Sequence, residues 1–463
     1  MHHRLSRRSF LGTMSVGSAA LLNPCPQMVF AYEANEKLNI ALIGIGGRGR
    51  WFVDTMPKLA NVVALCDVNE KRAGDGFEQI PQAKKYADFR RMLEEMDQQI
   101  DGVVIATPDH THAVAAAMAM RMGKHVYCEK PLTHSIHEAR FLRQLANETN
   151  VATQMGNQGT ASAGLRRALA WIRAGVIGEI REVHGWNDAG GKGPSPLPSQ
   201  AEPVPATLQW DLWLGPAADR PYNRQWMNWH AWRDFGTGQL GNWAVHSLNL
   251  AFMALRLNSL WGADPTVGAE QPAGTIKIRT DASARHGGTF PRWELVRWDF
   301  PARESLPPVT VHWHNGANPM GTRKTIEDLL GRPLDWGDHG ERKWRDHAGT
   351  LIVGTKGMIH ANGHNTEVTL LPKERFSNQP DVPQVLPNSP SHEQEWLDAC
   401  RGGPAAVSNF NYGGPLTEFL LTGNIATQIA EELEFDPAAG TFVNNDRANS
   451  LLHREYRKGW RLE

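Results

Sequence analysis

The stretch Leu38-Asn39-Ile40-Ala41-Leu42-Ile43-Gly44-Ile45-Gly46-Gly47-Arg48-Gly49 decides the fold. An aliphatic run of strand character ends directly in a turn whose glycines permit a tight bend, close backbone approach to a pyrophosphate and close packing of the next helix. The N-terminus of that helix then faces the phosphates. In a chain with 44 glycines the triplet alone also fits an ordinary strand-to-helix turn, so its surroundings have to carry the reading. Three further apolar runs follow, Val62–Cys66, Gly102–Ala106 and His125–Cys128, with helical patterns over Val114–Met122 and Ile136–Ala146. This alternation predicts a parallel sheet covered by helices on both faces. Asp67 ends the second run, where a carboxylate can accept from a ribose hydroxyl and repel a 2′-phosphate, favouring NAD over NADP. The same residue also suits a cap for the following helix, and Arg48 and Arg72 bring positive charge that softens the preference.

At 463 residues and 41% apolar content the chain is long enough for two or three packed domains. The expected organisation is a dinucleotide-binding Rossmann domain over 36–157 and a C-terminal α+β domain over 158–463. The second begins with a helix over 165–174 and a strand over Ile180–Trp186. Gly190–Pro205, rich in Gly, Pro and Ser, reads as a surface loop. Beyond it, Trp293–Trp298, Val309–Trp313 and Val368–Leu371 alternate apolar and polar residues, which predicts a large, mostly antiparallel open sheet with one face buried. Such a face has to be covered, and a homodimer or homotetramer is the expected means.

Lys plus Arg total 48 against 49 Asp plus Glu, so no long-range field recruits nucleic acid or anionic lipid. A neutral small molecule fits better. Seventeen Trp against six Tyr suits core filling first, and stacking on sugar rings second.

Ser6-Arg7-Arg8-Ser9-Phe10-Leu11, followed by a short apolar run from Gly12 to Leu22, has the pattern of a twin-arginine export signal. Val29-Phe30-Ala31 places cleavage after Ala31, giving a signal peptide over 1–31, a periplasmic or otherwise exported mature protein, and no membrane anchor afterwards. Cys66, Cys128 and Cys400 then remain, and the first two lie in strand-like runs as small core residues rather than a disulfide framework.

Two motifs make the reading specific. Thr107-Pro108-Asp109-His110-Thr111-His112 follows the third run, and Cys128-Glu129-Lys130-Pro131-Leu132-Thr133 follows the fourth. Together they resemble the signatures of the glucose-fructose oxidoreductase, inositol dehydrogenase and rhizopine-catabolism (Gfo/Idh/MocA) family, with Glu-Lys-Pro as its hallmark. The resemblance covers nearly the whole chain after the signal, most specifically from Leu38 to His246, and is greatest to the exported branch. It implies oxidoreductase chemistry on a sugar or polyol. It also implies cofactor contacts from Gly44, Gly46, Gly47, Arg48, Gly49, Asp67, Thr107, Pro108, His112, Glu129, Lys130 and Asn157, and a cis bond before Pro131. His112 also fits simply as a helix-start residue, and Gln154, Asn157 and Gln158 as turn amides.

Lys130 falls at the carboxyl end of a parallel strand, where doubly wound sheets place ligands. Its ammonium can stabilise the alkoxide character that develops as hydride leaves carbon. In the second domain, Trp232-Arg233 precedes Gly236-Thr237-Gly238-Gln239-Leu240-Gly241-Asn242-Trp243-Ala244-Val245-His246, similar to the family's segment with an acid and a histidine four apart on one helix face. His246 is the candidate general base. Asn242 stands where the family commonly has Asp, and an amide can position a hydroxyl but cannot carry the proton. Lys130, Arg233, Asn242 and His246 are the candidate substrate contacts, with Asp188, His230 and Trp210–Trp213 as further lining. His312 and His314 share one strand face, but no Cys or carboxylate accompanies them at ligand spacing, so no metal site is expected.

Export shapes the functional alternatives, because free nicotinamide cofactor is scarce outside the cytoplasm and the enzyme must hold its own. The main expectation is hydride transfer between tightly bound NAD and a sugar or polyol. The alternatives are a redox-neutral NAD-dependent glycosidase working through a transient 3-keto sugar, and a non-catalytic sugar-binding protein, which the loss of Asp at 242 favours.

Overall fold

The computed structural model describes residues 37–262, 274–316 apart from 286, and 347–462, with isolated positions between 324 and 333. The expected signal peptide over 1–31 lies outside the described residues.

The first sheet has six parallel strands, β1 (Asn39–Ile43), β2 (Asn61–Cys66), β3 (Lys84–Tyr86), β4 (Gly102–Ile105), β5 (His125–Glu129) and β6 (Thr153–Gly156), in the order β3-β2-β1-β4-β5-β6. Every residue of β4, β5 and β6 is buried, as expected for strands covered on both faces. Helices Arg50–Leu59, Glu70–Gln79, His112–Arg121 and Ile136–Thr149 provide the cover. Their starts follow from local sequence. Asn69 caps the second by accepting from the Arg72 N–H, and Ser135 with Glu138 forms a reciprocal capping box on the fourth.

The second sheet is mostly antiparallel, with nine strands: β7 (Ile180–Asn187), β8 (Ile276–Ala282), β9 (Glu294–Phe300), β10 (Val309–Asn315), β11 (Ala348–Gly354), β12 (Met358–Asn362), β13 (Val368–Leu371), β14 (Leu433–Asp436) and β15 (Thr441–Phe442). Their order is β13-β12-β11-β7-β10-β9-β8-β14-β15, and β7 with β10 is a parallel pair. Val183, Val296, Trp298, Val311 and Trp313 alternate inward and join one continuous core with the helices. Gly190–Pro205 is irregular, as read.

The chain after residue 158 does not stay with the second sheet. Helices His392–Cys400 and Phe410–Ala426 return to the first sheet, where the Met155 N–H donates to the Ser408 carbonyl at 2.8 Å and the Leu132 N–H donates to Thr417 Oγ1 at 3.3 Å. Trp396, fully buried, sets its ring edge-on to Tyr127. Sequence order assigns these helices to the second domain; their packing completes the first. Cys66, Cys128 and Cys400 are buried free thiols. No helix among the described residues is long and apolar enough to cross a membrane.

Candidate active site

A cleft of about 630 Å³ opens at the carboxyl ends of β1, β2, β4 and β5. Its floor is the glycine loop. Gly44 adopts a left-handed φ of +82°, and a Cβ there would lie 2.8 Å from the Ala106 carbonyl group. At Gly49 a Cβ would fall 1.7 Å from the Gly44 oxygen, so the loop can close only without side chains. The helix Arg50–Leu59 follows with no side-chain cap and no acidic residue in its first turn. Its positive end is therefore left for an anion. This cradle fits the pyrophosphate of a dinucleotide.

Asp67 lines the cleft with its carboxylate engaged by the backbone. Its Oδ2 accepts from the N–H groups of Ile45 at 2.8 Å and Gly46 at 2.9 Å, and its Oδ1 from Asn69 at 2.8 Å. The carboxylate braces the glycine loop, and the next helix is capped by Asn69 instead. Burial pushes its pKa up despite those three donors. Arg72 ties the same loop from outside, with Nε donating to the Gly46 carbonyl at 2.8 Å.

Across the cleft, buried Glu129 accepts from Arg48 Nε at 2.9 Å and Gln158 Nε2 at 2.7 Å. The Arg48 guanidinium also lies over the Trp51 ring, 5.5 Å from its centroid. Lys130, joined to Pro131 by a cis bond, points its Nζ at Asn242, donating to Oδ1 at 2.6 Å and to the carbonyl at 3.0 Å. Burial holds this lysine below its ordinary range, against the opposing pull of Glu129 and Asp109.

The expected helical turn carrying Asn242 is instead π-helical over Leu240–Ala244, passing into a short α-turn at Val245–Ser247. Asn242 reaches the cleft, whereas His246 sits behind it, buried, its ring 4.5 Å from that of His364 and edge-on to Trp243. Burial, reinforced by the positive charge of Lys130, pushes the His246 imidazole well below its ordinary range. Its Nδ1 has no hydrogen-bond partner among the described residues.

The structure thus brings Gly44, Gly46, Gly47, Arg48, Asp67, Thr107, Pro108, Glu129, Lys130 and Asn242 to one cleft. It does not bring Gly49, His112, Asn157, Arg233 or His246 to its wall. Gly49 is spent on closing the loop. His112 has its ring nitrogens 2.9 Å from the carbonyls of Pro131 and Thr107, tying the two motifs together. Asn157 is buried and accepts from Ser408. Arg233 is half-buried elsewhere, donating to Thr289, Asn424 and Thr427 with its guanidinium over Phe290. That arginine anchors the second domain rather than facing the cleft.

Sequence reasoning passed over Asp109 and the run Met227-Asn228-Trp229, which line the cleft beside His230. Asp109 accepts from the Thr237 N–H at 3.0 Å and its hydroxyl at 2.6 Å, locking the Thr107–His112 motif to the glycine-rich segment. Trp229 stacks on His230 with ring centroids 3.5 Å apart. The available signal was an aromatic-polar run outside any periodic segment. The metal expectation also needs correction in its premise: Glu182 and His184 lie within ligand reach of His312, brought there by strand pairing.

Residues 38–157 match the family model described as "Oxidoreductase family, NAD-binding Rossmann fold", and 188–293 match "Oxidoreductase family, C-terminal alpha/beta domain". A levoglucosan dehydrogenase of Pseudarthrobacter phenanthrenivorans is 27% identical over 160 residues, 32% of this chain and 40% of the relative. A glycosyl hydrolase family 109 protein of Stenotrophomonas maltophilia is 27% identical over 190 residues, 38% of this chain and 40% of the relative. The chain therefore matches about two-fifths of the length of these curated relatives. Among solved structures, a levoglucosan dehydrogenase in complex with NADH and levoglucosan superposes with a TM-score of 0.56 at 17% identity, covering 86% of this chain and 99% of the other. The cofactor of the matched first domain is NAD.

Proposed function

The chain belongs to the Gfo/Idh/MocA oxidoreductase family, and from that premise we propose that it exchanges hydride between tightly held NAD and a hydroxyl-bearing carbon of a sugar or polyol. The observation that carries this reading is the Lys130–Asn242 contact, inside the same cleft as the glycine loop. NAD, when bound, supplies the hydride acceptor or donor.

The residues of the chain do the rest. Lys130, with protons on Nζ directed at Asn242, presents a cation to the substrate oxygen and favours the alkoxide over the hydroxyl. Asn242 fixes the direction of that ammonium and can take the same hydroxyl in exchange. Burial first, and the Lys130 charge second, keep the His246 imidazole neutral in the fold. His246 acts from behind the wall as the proton's next holder. Trp229 and Trp213 offer apolar ring faces, and Asp109 holds their side of the cleft to the first domain.

A second reading keeps the same residues. Similarity to glycosyl hydrolase family 109 proteins supports a redox-neutral cycle in which the sugar is oxidised, loses its glycosidic substituent by elimination, adds water and is reduced again. We also propose export through the twin-arginine pattern at Arg7-Arg8 and assembly into a homo-oligomer, both resting on the sequence.

The test is the absorbance and fluorescence of the purified protein with a panel of sugars and glycosides and no added cofactor. A lasting NADH signal supports the dehydrogenase. Product release without net NADH supports the glycosidase. A protein that neither carries nor binds NAD overturns both.

A further inference from the structure

We infer that Glu182, His184 and His312 form a binding site for a divalent transition-metal ion on the outer face of the second sheet, separate from the dinucleotide cleft. Strand pairing builds it. Glu182 and His184 are two residues apart on β7 and share a face, and the parallel register sets His312 of β10 directly opposite His184. The His184 Nε2 lies 3.5 Å from Glu182 Oε2, the His312 Nε2 lies 4.0 Å from the same oxygen, and the three ligand atoms all fall within 4.8 Å of one another. Ligands about 2.0–2.2 Å from a shared ion stand about 3–3.5 Å apart. Small side-chain rotations close the difference.

The second observation is the state of His184. Its side chain is fully buried, and among the described residues its Nε2 faces only the Glu182 carboxylate, 3.5 Å away. Its other ring nitrogen lies 3.2 Å from His314 Nε2. With the proton on Nδ1, donated to His314, the Nε2 lone pair faces Glu182 and His312, which is how a neighbouring acceptor orients a metal-binding imidazole. The rings of His184 and His312 are parallel within 7° and stack at 4.7 Å.

The surroundings suit an ion. Leu351 and Val353 of β11 sit opposite His184 and Glu182 and make an apolar wall. Arg297 of β9, opposite His312, is engaged by Asp299 at 2.8 Å rather than by Glu182. His312 is partly exposed, which leaves a way in and a coordination position open to water. Two imidazoles and one carboxylate favour Zn²⁺, Co²⁺, Ni²⁺ or Cu²⁺ over Mg²⁺ or Ca²⁺. Gly185, between the two β7 ligands and Trp186, faces the other way, against Leu248 of the segment that follows His246. The sheet therefore stands between this site and Lys130.

The experiment strips the full-length protein with a chelator, then titrates Zn²⁺ by calorimetry and Co²⁺ by visible absorption. Wild type and Lys130→Ala are expected to bind one ion tightly, with cobalt bands of nitrogen and oxygen ligation. Glu182→Gln and His312→Ala are expected to bind more than about 100-fold more weakly. Thermal melting without metal checks that both site variants fold, and added Zn²⁺ should raise the Tm of wild type and Lys130→Ala but not of Glu182→Gln or His312→Ala. The chain has 19 histidines, so weak uptake elsewhere should be equal in all four proteins. Equal affinity in wild type and His312→Ala, or no rise in the wild-type Tm, overturns the proposal.

Discussion

The Lys130 Nζ donates to both the side-chain and the backbone oxygen of Asn242, 2.6 and 3.0 Å away across 112 residues of sequence. The pair joins the end of a first-domain strand to a π-helical turn of the second domain, and its charge state is set by what surrounds it. Lys130→Ala should lower turnover by about 10²–10⁴-fold while leaving NAD binding measurable by fluorescence.

The same pair gives a signed pH test. Asn242→Asp places a carboxylate against the ammonium and should move the Lys130 limb of the kcat/KM profile to higher pH. Glu129→Gln removes a charge that now raises the lysine and should move the limb to lower pH. Movement of both variants in one direction would show that the limb belongs to another group.

Gly49→Ala tests the loop without touching a polar group. A Cβ 1.7 Å from the Gly44 oxygen forces the turn open, and overpacking of this kind costs about 1–3 kcal/mol. Cofactor affinity should fall by about tenfold or more, read as lost absorbance of co-purified NAD and a raised Kd for added NADH. An unchanged Kd would remove the loop from the cofactor site.

Trp229→Ala should raise KM for a sugar substrate by about 2–10-fold, the size of an aromatic contact, with little change in the affinity for NADH. Equal losses for sugar and NADH would place Trp229 against the cofactor instead.

Stability should depend on pH in a definite sense. Burial lowers His110 to about 3, His125 to about 4 and His360 to about 3, and drives His134 and His314 well down. Each is neutral in the fold but protonated when unfolded below its ordinary value near 6.5, so stability is lost as pH falls from 6.5 towards the folded values. Glu294 and Glu418 are raised by burial to about 7, and their contribution is lost as pH rises from 4.5 to 7. The histidines outnumber the two carboxyls, so the Tm should climb from pH 5 to about 6.5 and then level off towards 7. A Tm highest at pH 5 would contradict this.

The first domain was legible because its information is local. The glycine turn, the helical pattern from Ile136 and the all-apolar β4 each announce themselves within a dozen residues, and the Glu-Lys-Pro motif carries its own position. What depends on register was not legible. Nothing in the sequence sets Glu182 beside His312, because 130 residues and a parallel pairing lie between their strands. The backbone partners of Asp67 were not legible either, because a carboxylate at a strand end suits both a ribose and the backbone of its own loop. Arg233 failed as a cleft residue for a similar reason: a guanidinium next to a glycine-rich segment is as readily an anchor for carbonyls as a ligand-binding group. The π-helical turn at Leu240–Ala244 has no compositional signature at all.

The return of helices His392–Cys400 and Phe410–Ala426 to the first sheet has a consequence for synthesis. The cover over β6 is made some 250 residues after β6 itself (410 − 156 = 254), so the nucleotide-binding half stays unfinished on the ribosome until most of the rest has emerged. Its last closure is a contact of high sequence separation, which slows folding and leaves an apolar sheet flank exposed to chaperones in the meantime. A nascent chain stopped before Phe410 should therefore fail to retain cofactor even though it contains every residue that touches the cleft. Cofactor retention would then report that translation had run far enough to close the sheet.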